Sequence, residues 1–310
     1  MGFTESTLPP AGPASPTASY LICATPRSGS TLLCEALSST EIAGRPDEYF
    51  EALRHSGVPR KPTEYFDDAD TVEFDAQLGD GSGTMEGRTG TPSPWNASTA
   101  WNYLEWVFNR ATTPNGMFAA KLMWGYLPDF LSFLRELRGT RSLETPELLD
   151  KVFPSPRFVW VTRQDKVRQA VSLWKALQTE TWRADPQHES GSRPDLAFSF
   201  EGIAHLRRQL AEQDAAWCRW FFENGIRPQT VVYEQLAADY RGTLAATLDF
   251  IGAPISREDI PDPPLERQAD SLSEEWVQRY TELEQTTELP ARVGRADVPP
   301  FDTGEFAIGA

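Results

Sequence analysis

The chain has 310 residues, with 29 Lys and Arg against 45 Asp and Glu, for a formal net charge of −16. That length can bury one substantial core, and the acidic balance speaks against general nucleic-acid binding, which needs a basic face. No apolar run approaches the ~20 residues of a membrane-spanning helix.

In chain order, residues 1–18 are rich in Pro, Ser, Thr and Ala and read as a tail. They lack the basic start and apolar stretch of a secretory signal. A buried strand is expected at about 19–25 and a helix at about 30–39. Residues 44–95 read as loop with short helical pieces. The Gly-rich stretches at 79–84 and 87–94 mark a mobile insertion at about 70–95. Asn96 reads as the cap of a helix running to about 110. A strand at 117–123 precedes helices at 127–138 and 146–152. A third strand at 157–162 leads into a helix at 166–177. A long helix at 200–224 should turn Ala215, Trp217, Cys218 and Phe221 toward the core. A strand at 228–233 and a helix at 240–251, ended by Gly252, complete the pattern. Strands alternating with helices imply an α/β fold, a parallel sheet covered on both faces. Its ligand should lie at the carboxyl ends of the strands. Three cysteines do not make a disulfide framework, and Cys23 and Cys34 should both be buried. A reducing, cytoplasmic setting fits. The three histidines, His55, His188 and His205, are far apart and form no metal-ligand pattern, so no metal is expected.

The most informative segment is Pro26-Arg27-Ser28-Gly29-Ser30-Thr31. It follows the apolar run Tyr20-Leu21-Ile22-Cys23-Ala24 and precedes a helix with Leu33 and Leu37 one turn apart. Strand, tight polar turn and helix aim backbone N–H groups at an anion. Arg27 adds a planar charged fork, and Ser28, Ser30 and Thr31 add hydroxyls. A Walker A loop would need a first Gly where Ala24 stands and a Lys where Ser30 stands. The order Pro-Arg-Ser-Gly-Ser-Thr resembles instead the 5′-phosphosulfate loop of sulfotransferases. A second apolar run, Arg157-Phe158-Val159-Trp160-Val161-Thr162, ends in Arg163 and again precedes a helix. Arg163 and Ser172 resemble the Arg and Ser that share the 3′-phosphate of 3′-phosphoadenosine 5′-phosphosulfate (PAPS) in those enzymes.

Further segments fall in the same order: 44–51 with Pro46-Asp47-Glu48-Tyr49-Phe50, then Lys121-Leu122-Met123-Trp124, 169–179 followed by Trp182-Arg183, and 265–270 leading to Trp276 and Tyr280. Together they resemble the bacterial trehalose 2-sulfotransferase family, from about residue 19 to about 282. The resemblance implies a sulfotransferase fold, a P-loop-like parallel sheet flanked by helices. The C-terminal extension at 283–310 lies outside it. PAPS would be the co-substrate, adenosine 3′,5′-bisphosphate the product, and a carbohydrate or glycosylated small molecule the acceptor, with trehalose favoured. It also allows a homodimer.

Transfer of SO₃ to a hydroxyl needs in-line positioning, stabilisation of charge on the leaving phosphate, and removal of a proton. Arg27 and the backbone N–H groups of 28–31 suit the second task. For the third, the residues alone leave Asp47, Glu48 and Glu51 open, and the family motif points to Glu48. Trp124, Trp174 and Trp182 could stack on a sugar face or pack in the core. Lys121 could contact sulfate or acceptor. Arg267 could reach the 3′-phosphate or pair with Glu266 or Asp270. A nucleotide kinase is disfavoured by the missing Walker lysine, and a non-catalytic nucleotide-binding scaffold by the intact Arg27, Glu48, Arg163 and Ser172.

Overall fold

The structure, a computed structural model, describes residues 16–51, 96–179, 196–263 and 271–286. The insertion at 70–95, Trp182, Arg267 and most of both terminal segments fall outside the described residues. Four strands form one parallel sheet in the order β2-β1-β3-β4. They are β1 (Ala18–Ala24), β2 (Met117–Met123), β3 (Pro156–Thr162) and β4 (Gln229–Val232). The α/β expectation holds, and the strand order reverses between β1 and β3. That reversal leaves a crevice at their carboxyl ends, which is where such sheets bind ligands.

Side chains alternate across a strand, and each face of this sheet has its own core. Leu21 and Cys23 of β1, Phe118 and Leu122 of β2, and Phe158 and Trp160 of β3 point one way. They meet α2 (Ala97–Ala111), α3 (Leu127–Arg135), α4 (Thr145–Val152) and the long α6 (Phe200–Glu223). Tyr20 and Ile22, Met117 and Ala119, and Val159 and Val161 point the other way, toward α1 (Ser30–Ser38), α7 (Tyr233–Ala238) and α8 (Tyr240–Ile251). A third cluster joins α5 (Lys166–Thr179) to α6 and to α9 (Ser271–Thr286) through Trp174, Leu206, Trp276 and Tyr280.

The local signals act as read in several places. Asn96 accepts from the backbone N–H groups of Ser98 and Thr99, and Thr99 returns a bond, completing a capping box. Gly252 ends α8 in a left-handed conformation, φ 85°. Four readings need correction. The strand β4 stops at Val232, and Tyr233 opens a short helix. α3 ends at Arg135, three residues early. Ala215 is exposed, and α6 instead buries Gln213 and Asp214 beside Trp217 and Phe221. A helix at 271–286 was not expected, because this polar segment buries only Trp276 and Tyr280.

Candidate functional site

The turn after β1 opens directly into α1. Gly29 is the N-cap, with φ 89°, and it has no side chain with which to cap the helix. No acidic residue stands in the first turn of α1. A Cβ at Gly29 would come within 2.4 Å of Tyr233 Cδ2, so both the backbone angle and the space demand glycine. Arg27 also takes a left-handed conformation, φ 59°, which is unusual for a residue with a Cβ. Ser28 is fully buried, and its Oγ has no hydrogen-bond partner. A buried hydroxyl without a partner is costly, and here it sits in a turn whose helix dipole favours an anion.

The second turn, after β3, lies beside the first. Arg27 Nε donates to Ser172 Oγ at 2.9 Å, and Arg163 Nη1 approaches the Arg27 carbonyl at 3.5 Å. Arg163 Nε is buried without a partner. Its guanidinium stands 4.5 Å from the centre of the Tyr233 ring, a cation–π contact. Burial, and then the neighbouring Arg163 charge, pull the Arg27 guanidinium below its ordinary value. Burial lowers Arg163 as well, with Tyr233, Glu234 and Asp165 opposing. Two guanidiniums in each other's field form an arrangement that a bound anion relieves. The residues therefore fit an anionic ligand.

The two turns differ in one respect. At the second, Glu234 already fills the approach to the helix: its carboxylate accepts from the N–H groups of Gln164 and Asp165 at 3.0 and 3.1 Å. Asp165 Oδ1 accepts from the N–H of Arg168. Those three backbone donors are taken, and Arg163 and Ser172 are the side chains a ligand could meet there.

The loop after α1 runs along the outer edge of β2. Arg45 N–H donates to the Ala111 carbonyl at 2.8 Å, and Lys121 N–H donates to the Asp47 carbonyl at 3.0 Å. Gly44, φ 72°, lets the loop pass against Ala119. The period of two places Lys121 on the same face as Met117 and Ala119, the face covered by α1. Lys121 is 2 % exposed, pairs with Glu48 Oε1 at 2.8 Å, and reaches Thr31 Oγ1 at 3.4 Å. Burial would lower its pKa, but the Glu48 charge and hydrogen bond, helped by Cys34 and Asp47, leave it raised. Asp47 turns inward on its own loop, Oδ1 accepting from the Glu48 N–H at 2.9 Å. Glu48 is the acid whose carboxylate pairs with the Lys121 ammonium. A cleft of about 200 Å³ opens here, lined by Thr31, Glu35 and Ser38 of α1, by Arg45, Asp47 and Tyr49 of the loop, and by Lys121.

The structure thus gathers Arg27, Ser28, Gly29, Arg163 and Ser172 at one crevice, with Ser30 and Thr31 on the first turn of α1 and Lys121 and Glu48 just beyond. Trp124 lies half-buried after β2, edge-on to Trp217 at 5.2 Å between ring centres. Trp174 does not serve as a sugar platform. It is fully buried in the third core cluster, and its indole N–H donates to the Ala197 carbonyl at 2.8 Å. Sequence reasoning missed Tyr233 and Glu234, which the end of β4 delivers to the second turn, and the buried Asp214 behind both turns. A tyrosine after a β-rich run reads as more strand. An acid inside a helical pattern reads as solvated surface.

Comparison with known proteins follows this geometry. The family model for Stf0 sulphotransferase matches residues 19–283. Trehalose 2-sulfotransferase from Mycobacterium tuberculosis (strain Erdman) is 38 % identical over 273 residues, covering 84 % of this chain and 93 % of the relative. Trehalose 2-sulfotransferase from Mycolicibacterium smegmatis is 35 % identical over 279 residues, covering 89 % and 98 %. Among solved structures, a sulfotransferase from Alicyclobacillus acidocaldarius aligns at 15 % identity with a TM-score of 0.41, covering 88 % of this chain and 96 % of that one.

Proposed function

The chain belongs to the Stf0 sulphotransferase family and is a sulfotransferase, and from that premise we propose that it moves a sulfuryl group from PAPS to a hydroxyl of a carbohydrate, with trehalose or a trehalose-like sugar as the favoured acceptor. One observation carries the reading. Lys121 touches both Glu48 and Thr31, so a single buried ammonium joins the candidate base to the end of the first anion turn.

PAPS supplies a sulfuryl group on a phosphate leaving group. Arg27, the Ser28 hydroxyl and the open N–H groups of α1 would hold that phosphate end, and Arg163 with Ser172 the 3′-phosphate. An arginine is a poor proton donor, so Arg27 would stabilise charge without donating a proton. Glu48 accepts the hydrogen bond of the acceptor hydroxyl and then its proton. Lys121 orients that carboxylate and places a positive charge beside the reacting centre. The cleft between α1 and the 45–49 loop would receive the acceptor beside this pair, where Glu35, Arg45 and Asp47 offer polar partners for a polyol. A cytoplasmic setting and a homodimer belong to the same proposal.

The test is turnover with labelled PAPS across an acceptor panel headed by trehalose. Glu48→Gln should lower kcat by roughly 10²–10⁴, the range for loss of a general base, and leave adenosine 3′,5′-bisphosphate affinity nearly unchanged. Asp47→Asn and Glu51→Gln should be mild. Activity should persist in excess chelator. A strict magnesium requirement with ATP as donor would point to a kinase, and nucleotide binding without transfer to any acceptor would point to a scaffold.

A further inference from the structure

Behind the two anion turns lies a buried polar cluster that touches neither the candidate base nor the acceptor cleft. Its centre is Asp214 on α6, 5 % exposed. Thr25, at the start of the first turn, donates to Asp214 Oδ1 at 3.1 Å. Thr162, the last residue of β3, donates to Oδ2 at 2.6 Å. It reaches α6 because position 162 falls on the same sheet face as Phe158 and Trp160.

Lys166, at the start of α5, adds an ion pair to Asp214 Oδ2 at 2.5 Å. The same ammonium donates to the Arg163 carbonyl at 2.6 Å and to Gln169 Oε1 at 2.9 Å. Its three donors are all engaged, so this lysine braces the second turn and is not a ligand for an anion. Gln169 closes the ring by donating to Thr25 Oγ1 at 3.1 Å and to the Pro26 carbonyl at 2.7 Å. Every spoke ends on one turn or the other. A buried network in which each member is satisfied is stiff, and it specifies one geometry.

We propose that Asp214 is a positioning residue that fixes the spacing between the two anion turns, so that both ends of one bis-anionic nucleotide are met at once. The proposal rests on the functional reading above for the identity of the ligand, but not for the coupling. A ligand held at two ends gains from the second contact only if the two sites are held at the matching distance. Loosening the hub therefore penalises a two-ended ligand more than a one-ended one. A general loss of fold would penalise both alike.

The experiment uses the full chain with Asp214→Asn and, because that change leaves the half-buried Lys166 opposite an amide, the gentler Thr162→Val, which removes one spoke and keeps the shape. Titration is with adenosine 3′,5′-bisphosphate and with adenosine 5′-monophosphate. The expected result is at least a tenfold loss for the bisphosphate with Asp214→Asn, less than about threefold for the monophosphate, and a smaller split of the same sense with Thr162→Val. In turnover, KM for PAPS should rise more than kcat falls. Amide hydrogen exchange of the unliganded protein judges the coupling separately: in either variant it should quicken at 25–31 and at 163–166 together. Equal losses for both ligands, or faster exchange in only one turn, overturns the proposal. If the unsubstituted protein ignores the bisphosphate, the functional reading fails, and the exchange data still decide whether Asp214 couples the turns.

Discussion

The two turns that follow β1 and β3 begin from the same plan and end with different donors. Each is a buried parallel strand, a polar turn carrying an arginine, and a helix. At the first, the N-cap is Gly29, the first turn of α1 holds no acid, and the backbone N–H groups stay open to a ligand. At the second, Glu234 occupies two backbone N–H groups ahead of α5, and Arg163 and Ser172 are the side chains that face the first turn. The difference shows that a strand–turn–helix unit offers its backbone donors to a ligand only where nothing in the chain already caps them. Tyr233 links the two, with one side of its ring against Gly29 and Arg163 over its face.

The sharpest way to break the contrast is Gly29→Ala. The substitution places a Cβ at φ 89° and 2.4 Å from Tyr233 Cδ2. The left-handed backbone costs about 1–2 kcal/mol, and displacing a packed ring costs about 1–3 kcal/mol more. Binding of adenosine 5′-monophosphate, which lacks the 3′-phosphate, should fall more than tenfold in a calorimetric titration. If monophosphate binding survives, the open backbone of the first turn is not what holds the phosphate.

Arg163→Ala tests the other side. With Glu234 already holding two backbone donors of this turn, the side chain should carry most of the 3′-phosphate contact. The expected loss is about 1.5–3 kcal/mol for adenosine 3′,5′-bisphosphate, the scale of a charge-assisted hydrogen bond, and much less for the monophosphate. Equal losses for both nucleotides would show that Arg163 serves the 5′ end or the fold, and the assignment of the two ends would have to be withdrawn.

How much of this was legible follows from where each signal lies along the chain. The strands β1 to β3 and their turns were readable because apolar runs, Gly29 and both arginines are contiguous signals. The Asn96 cap and the Gly252 stop were readable for the same reason. Glu48 needed the family motif, since three acids share its loop. Only the edge contact between that loop and β2 brings Glu48 to Lys121. Trp174 could have been platform or core, and the packing of α5 against α6 decides for core. Asp214 and Glu234 were invisible, because their partners are 48 to 189 and 69 to 70 residues away along the chain. No local period reports a contact made by chain crossover.

The smallest expected effect is also the one that tests the comparison most directly. Glu234 holds the second turn by two bonds from one carboxylate, at 3.0 and 3.1 Å. Glu234→Gln keeps the shape but leaves one acceptor oxygen, and its amide N–H₂ then faces a backbone donor. One bond is lost, along with the favourable charge at the start of α5, so about 1 kcal/mol of stability should go. Nucleotide affinity should move the other way, or not at all. A negative charge that stands near Arg163 opposes an incoming phosphate, and removing it lifts that opposition. Thermal unfolding should therefore report a loss, while adenosine 3′,5′-bisphosphate binds within threefold of the unsubstituted protein or tighter. A drop in affinity as large as that of Arg163→Ala would mean that the capped backbone itself shapes the phosphate site, and the two turns would then be alike in kind.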